Sequence, residues 1–460
     1  MYTVHFDQPS HIHFIGIGGV SMSGLAAILL QEGFTVTGSD SHETALTDRL
    51  EKAGAKIVYK QQAENITDGI DCVVYTAAIH PENPEYAAAV EKKIPLLSRA
   101  QLLGQLMKNY KIPICVSGTH GKTTTTSMAA HVMMAADLNP TISVGGILPL
   151  IGGNYHIGGS ETFLMEACEY TNSFLSFFPK ISIILDIDAD HLDFFKDLDD
   201  IRHSFRKFAE LLPEDGTLII NADDPAYKMI SHDLKSCVIT YSTETAKGDY
   251  TADLVTFDKQ GNATFRALYK NEPIGTFSLQ VPGSHNVSNA LAVIALARLL
   301  GIDAETIQAG FDSFHGTNRR FQEKGEMNGV KIVDDYAHHP TEIKATLRTA
   351  ARVPHNNIWT IFQPHTYTRT KALLPQFAEA LSLADKVVLA DIYAARELDI
   401  YGISSRDLQT EIQKFGTECH YFPSFDEIED FVRANAQPGD LVITMGAGNI
   451  VQVGEDLLKK

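Results

Sequence analysis

The run Gly118-Thr119-His120-Gly121-Lys122-Thr123-Thr124 constrains this chain more than any other feature. It follows an apolar stretch at 113–117 and leads into a helical pattern from about Lys122. The order predicted is therefore strand, glycine turn, helix N-terminus. Such a turn cradles anions, because backbone N–H groups and the positive end of the helix face a phosphate. Lys122 adds a point charge, and the Thr123 hydroxyl is suited to Mg²⁺. The spacing departs from the commonest loop of this kind: Val116 stands five residues before Gly121, so the upstream glycine is Gly118. A Gly-Lys-Thr run also arises by chance in turns, but the flanking strand and helix favour an ATP-binding phosphate loop.

The rest of the chain repeats the same alternation. Strand-like runs at 12–17, 35–38, 56–59 and 72–76 are separated by helical stretches, and this unit runs out near Tyr110. A second unit carries the phosphate loop, strands at 163–167, 182–187 and 217–220, and helices near 201–212 and 286–300. Between about 237 and 281 the pattern changes to alternation with turn signals, which predicts an antiparallel insertion. A junction is expected around 314–317, and strands at 330–334, 357–362, 386–390 and 440–444 mark a third unit. Short apolar strands alternating with helices imply parallel, doubly wound sheets. The expectation is an α/β chain of three Rossmann-like or phosphate-loop domains in series, at 1–110, 111–316 and 317–460.

Charge limits the partners. A net charge of −19 argues against nucleic acid and anionic membranes, which need cationic surface. No run of about 18 apolar residues predicts membrane insertion. The N-terminus lacks the cationic-then-apolar order of a signal peptide. The five cysteines are scattered, with no C-x-x-C pair, which fits a reducing cytoplasm better than a disulfide framework.

Several further residues stand where open α/β sheets bind ligands. Glu166 and His191 fall at successive strand ends, and either residue alone would read as solvated or capping. Arg320 lies just past the domain junction, placed to neutralise phosphate charge, whereas Arg319 reads as a surface arginine. Asp334 to Glu342 packs acids, imidazoles and a tyrosine at one strand end. Arg369 suits a carboxylate, although a helix-start salt bridge is its plainer role.

In order along the chain, Glu166-Ala167-Cys168-Glu169, Asp190-His191-Leu192-Asp193, His285-Asn286 with Asn289, Arg319-Arg320-Phe321, Asp334-Asp335-Tyr336-Ala337-His338-His339-Pro340-Thr341-Glu342 and His365-Thr366-Tyr367-Thr368-Arg369 accompany the phosphate loop. This series resembles the Mur ligases, ATP-dependent amino-acid ligases of peptidoglycan precursor synthesis. The resemblance covers about His11 to Gly448. It implies that ATP and Mg²⁺ drive attachment of L-alanine to the lactyl carboxylate of UDP-N-acetylmuramate through an acyl phosphate. By that resemblance Gly118 to Thr124, His285, Asn289, Arg320 and Asp335 hold the nucleotide. Thr123, Glu166 and His191 hold Mg²⁺, with Glu169 a further candidate, and Lys122, Glu166, His191 and Arg320 carry the chemistry. Tyr336, His338 and Arg369 line the amino-acid pocket. The expected assembly is a monomer or homodimer.

Gly16-Ile17-Gly18-Gly19-Val20-Ser21, with Asp40 further on, resembles a dinucleotide fingerprint and in isolation allows a dehydrogenase. The resemblance gives Gly16, Gly18, Gly19, Ser39 and Asp40 to the UDP-sugar instead. Three places depart from the family pattern. Cys168 stands where Asp is usual, and alternation along a strand would give it the orientation of Glu166. Asp186 replaces an Asn, and Thr366 replaces a second Arg. The ligase that recycles a whole peptide, a folylpolyglutamate-type ligase, and a nucleotide-binding regulator without turnover stay open as alternatives.

Overall fold

The computed structural model describes residues 2–76, 78–395 and 397–459. Three sheets follow one another along the chain. The first contains five parallel strands, with His11–Ile15 between Thr35–Ser39 and Cys72–Tyr75. The third has six strands, parallel except for Gln322–Met327, which runs against Val330–Asp335. Between them lies a sheet of ten strands. Its parallel centre places Ile112–Ser117 between Thr162–Glu166 and Ile181–Ile184. This order puts Ser117, Glu166 and Ile184 at the carboxyl ends of adjacent strands, where a crevice forms.

The expected antiparallel region belongs to this same central sheet. Cys237–Ser242 still pairs in parallel with Thr217–Asn221, and antiparallel pairing begins only where Tyr250–Phe257 meets Asn262–Tyr269. On the opposite edge, Thr141–Leu148 and Gly153–His156 form a hairpin that alternation does not reveal. Glycine masks it, and the packing explains why. A Cβ on Gly145 would stand 2.5 Å from Glu166 Oε2, and one on Gly146 would stand 3.2 Å from Thr123 Cγ2. The hairpin strand thus passes directly over the phosphate loop and the Glu166 carboxylate.

Packing joins the units. One apolar core runs from the N-terminal sheet, through Phe14, Leu25 and Leu103, to Phe163, Phe174 and Phe208 beneath the central sheet. Helix Val20–Gln31 lies against Tyr155 through Gly24, and Asn154 Nδ2 donates to the Val20 carbonyl at 2.6 Å. The other face of the central sheet has its own core around Val116, Met128, Leu291 and Phe311. Two more cores cover the faces of the C-terminal sheet. Among the described residues, no helix is long and apolar enough to cross a membrane. All five cysteines are free.

Candidate active site

The phosphate loop occupies the turn between strand Ile112–Ser117 and helix Lys122–Ala135. Gly118 at φ +144° and Gly121 at φ +80° adopt backbone conformations that side chains disfavour. A Cβ on Gly118 would also lie 2.9 Å from Leu185 Cβ. Asp186 braces the loop: its carbonyl accepts from Thr119 N at 3.0 Å and its Oδ1 from His120 N at 2.8 Å. The orphan N–H groups of the helix's first turn therefore remain for an anion.

Lys122 extends toward Glu169, with Nζ 3.0 Å from Oε2, and also donates to the Thr119 carbonyl at 3.1 Å. Burial works against its charge, but Glu169, Cys168 and Glu166 together raise the pKa. Glu169 Oε1 in turn lies 3.8 Å from His191 Nε2. His191 adopts φ +53° and lies against Tyr170 at a tilt of 32°, with ring centroids 4.5 Å apart. Glu166 Oε1 is buried and has no hydrogen-bond partner among the described residues. A buried carboxylate oxygen left unpaired is costly, so Glu166 fits a hard oxygen-seeking cation. Strand Thr162–Glu166 stops at Glu166, so the alternation expected to orient Cys168 with Glu166 does not reach it. Burial pushes the Cys168 thiol up to about 11.

A cavity of 260 Å³ opens beside the loop, lined by His120, Gly121, Thr124, His285, Asn289, Arg320 and Asp335 among others. Arg320 Nη2 reaches Thr123 Oγ1 at 3.4 Å. Asp335 is fixed by the backbone N–H groups of Phe321 at 2.9 Å and Ala337 at 2.7 Å. Burial raises its pKa to about 6, with Arg320 opposing. Arg319 is not the surface residue expected. It adopts φ +64° and donates to Asp334 Oδ2 at 2.9 Å and to the carbonyls of Gly446 and Gly448 at 2.7 and 3.1 Å. Its partners lie on two other strand ends, far away in sequence.

A second cavity, of 480 Å³, is lined by His191, Tyr336, His338, His365, Thr366 and Arg369 among others. Arg369 is held across the domain boundary by Asp190, which it meets through Nε at 3.0 Å and Nη2 at 2.8 Å. Burial alone would raise the Asp190 pKa, but Arg369 and His191 hold it well below the usual carboxylate range. Burial lowers both His338 and His365 to about 4, so both rings are neutral at pH 7. Thr366 caps the helix Tyr367–Ala372 at φ +66°.

The N-terminal candidates line neither of these cavities. Gly16 at φ +81° begins the turn, and Gly18 N donates to Asp40 Oδ2 at 2.7 Å. Asp40 therefore supports the glycine loop from below. Ser39 is fully buried and its hydroxyl donates to Glu85 at 2.5 Å, which commits that side chain to the fold. Three acids were given no role from the sequence: Asp188, Asp190 and Glu342. Only Glu342 had a local signal, as the third helical residue after a capping position. It accepts from His338 N and His339 N at 3.0 and 3.2 Å, and its Oε1 lies 3.2 Å from His120 Nδ1.

The comparisons with known proteins agree with this geometry. Residues 11–111 match the Mur ligase family catalytic domain, 116–297 the Mur ligase middle domain, and 319–448 the Mur ligase glutamate ligase domain. The chain is 58% identical over 459 residues to the UDP-N-acetylmuramate–L-alanine ligase of Lachnospira eligens, covering 100% of both chains. It is also 58% identical to the ligase of that name from Agathobacter rectalis, again over 100% of both. The crystal structure of the UDP-N-acetylmuramate-alanine ligase of Thermotoga maritima superimposes with a TM-score of 0.81 at 30% identity, covering 98% of each chain. A murein peptide ligase from Psychrobacter arcticus follows at a TM-score of 0.73 and 25% identity, also covering 98% of each. With three domain matches in order and full-length relatives at this identity, the chain belongs to the Mur ligase family.

Proposed function

We propose that this protein joins L-alanine to the lactyl carboxylate of UDP-N-acetylmuramate at the expense of ATP, in the cytoplasm. The observation that carries this reading is the continuous line Lys122–Glu169–His191, which runs from the phosphate loop to the lining of the second cavity. An anion-holding turn and a pocket bearing a guanidinium thus share one wall. In this reading residues 1–110 hold the UDP-sugar, 111–316 the ATP, and 317–460 the amino acid.

The chemistry follows from charge. The lactyl carboxylate attacks the γ-phosphorus and displaces ADP, giving an acyl phosphate; the amine of L-alanine then attacks the carbonyl carbon, releasing phosphate and forming the amide. Lys122 and Arg320 spread the charge of the transferring group, which supplies most of the rate in such reactions. Thr123, Glu166 and His191 would hold Mg²⁺, which when bound neutralises phosphate oxygens. Arg369 orients the amino-acid carboxylate, while Tyr336 and His338 shape the pocket around it. Burial keeps His338 and His365 neutral, so neither adds a charge beside the Arg369–Asp190 pair.

Phosphate release should require ATP, UDP-N-acetylmuramate and L-alanine together. Release driven equally well by a tripeptide would favour the peptide-recycling reaction, and release without either acceptor or sugar would refute ligation.

A further inference from the structure

Beside the line just described, the phosphate loop meets the C-terminal unit through a second cluster. His120 Nε2 lies 3.5 Å from Asp188 Oδ2, and His339 Nδ1 lies 3.9 Å from the same oxygen. The three atoms fall within 4.8 Å of one another. In a tetrahedral Zn²⁺ site, bonds of about 2.0–2.1 Å place neighbouring ligand atoms about 3.3 Å apart. A small inward movement would close this set to that spacing.

The other nitrogens strengthen the case. His120 Nδ1 is 3.2 Å from Glu342 Oε1, and His339 Nε2 is 3.2 Å from the Ala189 carbonyl. Both oxygens are acceptors, so each ring donates through its outer nitrogen and turns the inner one toward Asp188. A carboxylate or carbonyl behind each imidazole is the usual support of a metal-bound histidine. The cluster has competing contacts as well. Thr341 Oγ1 donates to Asp188 Oδ2 at 2.6 Å, and Thr341 N approaches His339 Nδ1 at 3.3 Å as a helix cap. A carboxylate oxygen can accept a hydrogen bond and still ligate, but a cation would replace the long cap bond.

We propose that His120, Asp188 and His339 form a site for a borderline divalent transition ion of the Zn²⁺ class. Two imidazoles and one carboxylate favour such an ion over Mg²⁺, which separates this site from the oxygen-rich surroundings of Glu166. His120 and Asp188 come from the central unit and His339 from the C-terminal one, so a bound ion ties the two together. His120, Thr341 and Glu342 also line the nucleotide cavity.

The test uses Co²⁺ as the probe on the full chain, in excess Mg²⁺, followed by the visible absorption of low-coordinate Co²⁺. One saturable equivalent is expected, weakened tenfold or more in His120→Asn, Asp188→Asn and His339→Gln, and unchanged in Glu166→Gln. Circular dichroism identifies any variant that fails to fold, and the remaining two then decide. Absence of the absorption in the wild type, or equal Co²⁺ affinity in the folded variants, would overturn the proposal. Loss of the signal in Glu166→Gln alone would place the ion elsewhere and overturn it too. None of these outcomes bears on the phosphate-release assay with Mg²⁺.

Discussion

Arg369 of the C-terminal unit and Asp190 of the central unit form a salt bridge in which Nε and Nη2 both donate to the same carboxylate oxygen, at 3.0 and 2.8 Å. Both side chains are about nine-tenths buried. Removing one member of such a pair strands the other, at a cost of about 3–5 kcal/mol. Arg369→Ala should therefore lower thermal stability sharply, and adding Asp190→Asn should restore much of it. A double-mutant cycle that finds no coupling between the two would contradict the pairing. The single variant should also raise KM for L-alanine more than it lowers kcat.

Lys122 meets one oxygen of Glu169 at 3.0 Å, while His191 lies 3.8 Å from the other. Lys122→Ala should reduce kcat/KM by about 10²–10³ while the protein stays folded, the range seen when one charge-stabilising donor is lost. Activity within tenfold of wild type would remove Lys122 from the chemistry.

Glu166 presents a buried oxygen that has no hydrogen-bond partner among the described residues. Its replacement by Gln removes the charge and keeps the shape. The Mg²⁺ concentration for half-maximal phosphate release should rise at least tenfold in Glu166→Gln, whereas an unchanged activation curve would mean that the cation is held without this carboxylate.

His131 bears on stability rather than catalysis. Burial pulls its pKa down to about 4, with His315 acting in the same direction. The folded protein then binds fewer protons than the unfolded chain between that value and the ordinary value of about 6.5. Its contribution is therefore complete above about pH 6.5 and is lost as pH falls toward 4. Thermal denaturation of His131→Gln should show a smaller fall in Tm between neutral and mildly acidic pH than the wild type. Parallel curves would mean that His131 is not held neutral.

Much of this was legible in the sequence, because its signals are local. The phosphate loop and the order of strands and helices follow from short motifs and alternation, whereas the family resemblance implies the common role of His285, Asn289, Arg320 and Asp335, which line one cavity. What escaped depends on partners far apart in the chain. Arg319 reads as a surface residue until Asp334, Gly446 and Gly448 are seen around it. Ser39 reads as a ligand contact until Glu85 takes its hydroxyl. The strand through Gly145 is hidden because the glycines that let it cross Glu166 are the residues that make a segment read as a loop. Glu342 announces a helix cap, but nothing nearby announces His120, 222 residues away.

The central claim is that the sugar's carboxylate is activated by phosphoryl transfer at the Lys122 loop. UDP-N-acetylmuramate labelled with ¹⁸O in its lactyl carboxylate tests this directly. Mass analysis of the released phosphate should find one carboxylate-derived oxygen per turnover. Phosphate that carries no label, with the amide still formed, would contradict the acyl phosphate and the role assigned to the loop.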